Sequence, residues 1–421
     1  MEYKIEKSFA EELDANDPLA KFRELFYIPE FNGKSCIYFC GNSLGLQPRH
    51  AREYILQELQ DWAELGVEAH FKARTPWLNY HEFLTEQTAR LVGALPSEVV
   101  VMNTLTVNLH LMLVSFYRPT AKRHKILIEA RAFPSDRYAV VSHIRFHGLE
   151  PEQTLIEVQP QPGEFTIRTE SLLEIIEREG EQIALILLGG VNYYTGQAFE
   201  MQKITRAGHE KGCLVGFDLA HAVGNLELNL HDWGVDFAVW CSYKYLNGGP
   251  GCVAGCFVHE RHAHNFDVPR FAGWWGHDKR TRFTMPPDFK PIPGAEGWQL
   301  SNPPILSMAP LRSSMQIFDQ AGMAKLRQKS KLLTGYLEFL LNSHKNSNFK
   351  IITPPEPEER GCQLSIQVKK GGKDLHKKLI KNHFICDWRE PDVIRVAPVP
   401  LYNRFIEVFQ FAEFFKKQVA S

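Results

Sequence analysis

Between about residue 80 and residue 260 the chain returns again and again to a short apolar run. The runs are Val99–Met102, Lys125–Glu129, Ile183–Leu188, Leu214–Phe217, Phe237–Trp240 and Cys252–Val258. They do not alternate apolar with polar residues, so each suits a strand covered on both faces, as in a parallel sheet. Helical stretches such as Arg168–Glu179 and Gln202–Lys211 lie between them. Strands that alternate with helices predict an α/β fold built on a mainly parallel sheet.

The flanking regions predict further parts. Residues 1 to about 30 read as a charged helical arm, followed by a short strand, Ser35–Phe39, and the turn Cys40-Gly41-Asn42-Ser43-Leu44-Gly45. Residues 50 to 65 carry Tyr54, Ile55, Leu56, Leu59, Trp62 and Leu65 at helical spacing. Residues 261 to 305 are rich in Pro, Gly and Trp and read as an extended loop region. A long helix from about Ser307 to Ser343 leads to a second, smaller α/β unit. Its strands are Phe349–Ile352, Gln363–Val368, Phe384–Trp388 and Val393–Ala397, and its helices Lys373–Lys381 and Arg404–Val419. A chain of 421 residues exceeds one ordinary core. The expected division is an arm, 1–48, that joins the small domain; a large domain, 49–306; and a linking helix with a small C-terminal domain, 307–421.

A net charge of −1 gives no electrostatic case for nucleic acid or an acidic membrane surface. The apolar runs are strand-length, far short of the ~20 residues that span a bilayer. The first residues, MEYKIEKSFAEELDANDPL, hold no apolar core of a signal peptide. A soluble cytoplasmic protein is the expectation. The eight cysteines read as free buried thiols rather than a disulfide framework. Cys252 and Cys256 have the spacing of a half metal site but no matching second pair, so no metal is expected.

In an open α/β sheet, ligands bind beyond the carboxyl ends of the strands. Asp218 follows Leu214–Phe217 directly, with His221 in Asp-Leu-Ala-His. An acid there can pair with a protonated pyridine ring, although alone it reads first as a helix N-cap. Lys244 lies 26 residues on, in Trp-Cys-Ser-Tyr-Lys-Tyr, and Asn247-Gly248-Gly249-Pro250-Gly251 follows. Aromatic neighbours suit a partly desolvated amine that forms an imine, against the blander reading of a snorkelling surface lysine. The Asp and Ser-x-Lys pair is a pattern for pyridoxal phosphate. Thr106, in Asn103-Thr104-Leu105-Thr106, stands where a helix begins and can serve an anion site or a plain cap. Phe133, in Phe133-Pro134-Ser135-Asp136, can stack on a ring or fill a core.

These segments together resemble the kynureninase family, within the class V aminotransferase group. The resemblance rests on Cys40-Gly41-Asn42-Ser43-Leu44-Gly45-Leu46-Gln47-Pro48, Val67-Glu68-Ala69-His70-Phe71, Phe133-Pro134-Ser135-Asp136 and Tyr194-Thr195-Gly196-Gln197. It continues through Asp218-Leu219-Ala220-His221-Ala222-Val223-Gly224-Asn225, Ser242-Tyr243-Lys244-Tyr245-Leu246-Asn247 and Gly273-Trp274-Trp275-Gly276-His277. Ser301-Asn302-Pro303-Pro304 and the stretch from Arg395 to Asn403 complete it.

The resemblance implies the aspartate-aminotransferase-like fold of pyridoxal-phosphate enzymes (fold type I), a homodimer, and hydrolysis of L-kynurenine or 3-hydroxykynurenine. It implies that Lys244 holds the cofactor and moves the substrate's α-proton. Asp218 would pair with the ring nitrogen and Phe133 would stack on the ring. Leu105, Thr106, Ser135, Asp136, His221, Tyr243, Trp274 and Asn302 would also contact the cofactor. Arg395 would take the substrate carboxylate, and Ser43, His70 and Asn302 would line the aryl pocket. Tyr243 is a candidate for proton transfer by position. His70, Trp274 and Asn302 would serve the partner subunit's cofactor. Gly189 stands where some relatives carry a serine.

Two rivals are a class V aminotransferase or desulfurase, and a non-enzymatic cofactor-binding regulator. A desulfurase needs a mobile loop cysteine, whereas the cysteines here fall mostly within apparent strands. A regulator would have shed Lys244, Asp218 or Arg395, and all three are present.

Overall fold

The computed structural model describes residues 2–343 and 347–420; Met1 of the expected arm and Ser421 of the expected C-terminal domain lie outside them. A seven-stranded sheet organises the chain. Its strands are β1 (Val99–Met102), β2 (Lys125–Glu129), β3 (Leu155–Val158), β4 (Ile183–Gly189), β5 (Leu214–Asp218), β6 (Phe237–Trp240) and β7 (Ala254–Val258). Their spatial order is β1-β7-β6-β5-β4-β2-β3. From β6 across to β3 every pairing is parallel.

The unbroken apolar runs have a direct cause. Side chains alternate between the two faces of a strand, and here both faces are covered. Val99 and Val101 enter one core cluster, while Val100 and Met102 enter the other.

Three expectations change. The last run is reversed: β7 pairs antiparallel with both β6 and β1. No helix lies between Trp240 and Ala254, so the chain returns as a hairpin instead of crossing over, which a parallel pair would require. Strand β3, at the sheet edge and only half-buried over most of its length, joins the six foreseen. The long helix expected from Ser307 to Ser343 is two helices, Ile305–Ala321 and Met323–Asn342. Gly322 separates them with φ +75°, a left-handed conformation that glycine adopts without penalty.

A second sheet, antiparallel throughout, is formed by Phe349–Ile351, Leu364–Val368, Val393–Val396 and Asp387–Arg389. Its core also takes in Ala10 and Phe39 from the N-terminal segment and Phe411 and Phe415 from the last helix. The N-terminal helix Lys7–Ala15 fixes that last helix, Phe405–Ala420, through Asp14. The Asp14 carboxylate accepts from the N–H groups of Phe405 (2.7 Å) and Ile406 (3.0 Å), which a helix start leaves without partners. No helix among the described residues is long and apolar enough to cross a membrane.

Candidate active site

A cavity opens beyond the carboxyl ends of β2, β4 and β5. Lys244 enters it from the turn after β6, half-buried, with Nζ 3.0 Å from His221 Nε2. The same Nζ lies 5.8 Å from the Phe133 ring centre and 5.9 Å from that of Tyr243. The turn that carries Lys244 is braced by Cys40–Gly45: Gly45 N–H donates to the Tyr243 carbonyl at 2.8 Å. A side chain at Gly45 would collide with the Lys244 carbonyl and Asn247, so the two turns meet here only because residue 45 has none.

Asp218 is the last residue of β5 and is buried. Ala220 N–H donates to its Oδ1 at 2.7 Å, which fixes the carboxylate. Asp136, in the first turn of the helix α2 (Pro134–Phe146), hydrogen-bonds to it. Burial pushes both carboxyls up, and for Asp136 the neighbouring Asp218 and Glu129 add to the effect. Asp136 Oδ1 is buried without a partner. His221 is held well below the usual imidazole range by burial and by Lys244, so it is neutral; its Nδ1 is likewise buried and unpartnered.

The opposite wall is made for an anion. Helix α1 (Leu105–Phe116) and α2 both begin at the cavity, and neither N-cap residue, Thr104 nor Phe133, caps with its side chain. At α2 Pro134 has no N–H and the Asp136 N–H donates to the Phe133 carbonyl at 2.9 Å, so the groups left for a ligand are the Ser135 N–H and those at the start of α1, where the helix dipoles favour a negative one. The hydroxyls of Thr106 and Ser135 stand between the two helix starts, 3.0 Å apart. Leu105 lines the cavity beside them. Phe133 is 43% exposed and meets the Tyr193 ring edge-on at 5.2 Å, which leaves one of its faces for another ring.

Of the fourteen residues that the sequence singles out, nine line this cavity: Leu105, Thr106, Phe133, Ser135, Asp136, Asp218, His221, Tyr243 and Lys244. Five do not. Ser43 is half-buried in the Cys40–Gly45 turn. His70 Nδ1 lies 3.0 Å from the Val67 carbonyl and its ring meets Trp77 edge-on. Trp274 is 41% exposed and donates to the Arg282 carbonyl at 3.2 Å. Asn302 is exposed. Arg395 is buried; its Nη1 donates to the Tyr193 carbonyl at 2.7 Å, its Nη2 is taken by Asp387, and its Nε has no partner.

Three residues of the site escaped the sequence. Glu129 lines the cavity with burial pushing its carboxyl up to about 7. A charge closing the apolar run Lys-Ile-Leu-Ile-Glu was the available signal. Asp387 pairs with Arg395 because the two face each other across an antiparallel pair of strands, a register that spacing hints at. Tyr193 gave no signal.

Two clusters elsewhere have the composition of metal sites, Glu98–His231–His259 and His81–Glu82–Glu296. In the first, Glu98 already accepts from Leu95 and Glu260 N–H groups, both at 2.8 Å. In the second, the Lys279 ammonium sits between Glu82 (2.8 Å) and Glu296 (2.6 Å). Their donors are spent on the protein itself.

The cavity therefore offers an amine, buried acid groups with an unpartnered oxygen, an aromatic face and an anion cradle. That set fits a cofactor with a carbonyl, a cationic aromatic ring and a phosphate.

Comparison with solved structures places this arrangement in a known fold. A cysteine desulfurase from Thermococcus onnurineus NA1 superposes with a TM-score of 0.74 at 16% identity, over 97% of this chain and 98% of that one. A cystine C-S lyase, solved with its product cysteine persulfide, superposes with a TM-score of 0.76 at 17% identity, over 90% and 97%. Residues 326–415 match the family described as the kynureninase C-terminal domain. Along the whole chain, the kynureninase of Koribacter versatilis is 63% identical over 97% of both proteins. That of Myxococcus xanthus is 60% identical over 97% of this chain and 96% of its own. Identity at that level across nearly the full length decides the matter: the chain belongs to the kynureninase family.

Proposed function

We propose that this chain hydrolyses L-kynurenine to anthranilate and L-alanine with pyridoxal phosphate as cofactor, in tryptophan degradation or NAD biosynthesis, and that it also accepts 3-hydroxykynurenine. What carries this is one cavity that unites the Lys244 amine, the Asp218 carboxylate and two helix starts, in a chain similar to kynureninases over 97% of its length.

When bound, pyridoxal phosphate supplies a carbonyl that captures amines and a ring that draws electrons from the substrate. The residues divide the remaining work. Thr106, Ser135 with its N–H, and the N–H groups at the start of α1 would hold the phosphate. Phe133 would hold the ring by its face, and Asp218, with Asp136 beside it, would pair with the ring nitrogen. Lys244 would hold the carbonyl carbon and give way there to the substrate's amine. Freed, Lys244 removes the α-proton, and neutral His221, 3.0 Å away, orients the amine by accepting its hydrogen bond. Arg395 takes the α-carboxylate and Tyr243 moves a proton near the β-carbon. Water adds at the γ-carbonyl. The bond between the β- and γ-carbons breaks; the γ-carbon leaves in the carboxylate of anthranilate, the β-carbon gains a proton, and Lys244 gives the α-proton back, to yield alanine.

His70, Trp274 and Asn302 are assigned to the neighbouring site of a homodimer. Exposed Trp62 (60%), Val67 (75%), Phe71 (61%) and Met285 (65%) support such an apolar interface. A cytoplasmic location is part of the same proposal.

The test is to mix the purified protein, pyridoxal phosphate and L-kynurenine and to follow anthranilate by its fluorescence, with 3-hydroxykynurenine in parallel. Product should form with the wild type and vanish with Lys244→Ala. Undiminished turnover by that variant would refute the assignment.

A further inference from the structure

Glu129 closes β2, Gly189 closes β4 and Asp218 closes β5, and these three strands lie side by side. Gly189 is in register with Asp218. Residue 189 has no side chain, so the Glu129 carboxylate folds over that strand end, with both oxygens 3.2 Å from the Gly189 nitrogen. A Cβ at position 189 would stand 3.0 Å from Oε1, inside ordinary contact distance. The missing side chain thus leaves the end of β4, which lies between β2 and β5, open to the Glu129 carboxylate.

Glu129 is 3% exposed. The groups that face it across the cavity are Asp218 from β5, Asp136 from α2, His221 from the turn after β5, and Lys244. On the β3 side its register partner is the apolar Val158, and Glu157, one residue earlier, is paired with Arg137 at 3.0 Å. Three buried carboxyls therefore share the cavity with the Lys244 amine, and like charges held this close are not all ionised together. Asp218 and Asp136 have tasks in the proposed reaction, and Glu129 has none.

We infer that Glu129 is a positioning residue for the cofactor ring: across the open strand end at Gly189 it sets the charge that Asp218 and Asp136 present to the ring nitrogen. The inference rests on the pyridoxal phosphate assignment above. Ionised, Glu129 adds a negative charge behind the two aspartates and strengthens the hold on a cationic ring. Protonated, it adds none. Burial, with Asp218 contributing, pushes its carboxyl up to about 7, so the change falls near neutral pH.

The experiment measures the affinity of the apoprotein for pyridoxal phosphate, by quenching of tryptophan fluorescence, at about pH 6 and about pH 8. Wild type and Glu129→Gln are compared as a ratio of dissociation constants. That ratio cancels the pH effects that both proteins share. Near pH 6 the ratio should be close to one, because a protonated Glu resembles Gln. Near pH 8 the wild type should bind about tenfold more tightly, the equivalent of one pKa unit of coupling. An equal ratio at both pH values would show a merely structural role and overturn the inference. Gly189→Ala is the second variant and decides the question if Glu129→Gln does not fold. A methyl there should shrink the pH-dependent step, and an unaltered step would overturn the inference. A wild-type protein that binds no pyridoxal phosphate at either pH removes the cofactor assignment itself, and this inference with it.

Discussion

Removing either hydroxyl of the anion cradle should weaken capture of pyridoxal phosphate while leaving the fold intact. Thr106→Val keeps the shape of the side chain and Ser135→Ala removes one atom. A hydrogen bond to a charged group contributes about 1.5–3 kcal/mol, so each change should raise the dissociation constant by roughly 10- to 150-fold. Both residues are half-buried, which places the loss toward the lower end. The hydroxyls are 3.0 Å apart and share one ligand group, so their effects should not add. The double variant should fall short of the product of the single losses, with a coupling of about 0.5–3 kcal/mol. The assay is a fluorescence titration of the apoprotein, run with pyridoxal phosphate and again with pyridoxal, which lacks the phosphate. The losses should appear with the first ligand and vanish with the second. Affinity for pyridoxal phosphate within twofold of wild type, or an equal loss toward both ligands, would refute the cradle.

Two predictions concern stability. Asp236 accepts from His209 (2.8 Å), His262 (2.9 Å) and the Val215 N–H (2.8 Å). Burial alone would raise its carboxyl, but these hydrogen bonds outweigh burial and hold it well below the usual range. A depressed carboxylate stabilises fully above its unfolded pKa of about 4 and loses that contribution as pH falls toward the folded value. Asp236→Asn should therefore cost about 2 kcal/mol at pH 7 by chemical denaturation, and the gap should narrow steadily as pH falls from about 4 toward the folded value. A gap that stays constant over that range would point to packing instead. Gly255 in β7 faces the Trp240 ring so closely that a methyl would overlap it. Gly255→Ala should destabilise by about 1–3 kcal/mol, and an unchanged denaturation midpoint would contradict that packing.

Much of the fold was legible because burial on both faces writes itself into composition. Runs such as Ile183–Leu188 need no alternation, and they were found within a residue or two of their true ends. Strand β3 escaped because an edge strand is half-buried, and Leu-Ile-Glu-Val follows directly on the short helix Pro151–Thr154. The reversal of β7 escaped because strand direction depends on the connection, not on the strand's residues. Gly322 inside a helical pattern is compatible with either a tolerated glycine or a break, and only its φ separates the two. In the site, residues that follow an apolar run, Asp218 and Lys244, stood out by position. Glu129 did not, since it was absorbed as the last letter of its own run. Arg395 was legible as a carboxylate binder, yet its pairing with Asp387 depends on a register that appears only when the strands are laid side by side.

Three of the five residues outside the cavity share a feature that bears on assembly. In the proposed assignment one chain supplies the phosphate cradle, the ring contacts and the amine, while His70, Trp274 and Asn302 do not line that cavity and lie at or near the surface. If they complete the site of a partner, as proposed, damage to them and damage to Lys244 fall on different sites of one mixed dimer. Pair a Lys244→Ala subunit with an Asn302→Ala subunit. One site then carries both defects, and the other has an intact lysine and an intact asparagine. Two inactive variants, dissociated, mixed in equal amounts and reassembled, should form mixed dimers as about half of all dimers and recover about a quarter of wild-type anthranilate production. If Asn302 served the cavity of its own chain, each site of the mixed dimer would hold one defect and mixing would recover nothing. Recovery absent in dimers shown to have exchanged subunits would therefore move Asn302 back to its own subunit, and the exposed apolar surface would then need another explanation.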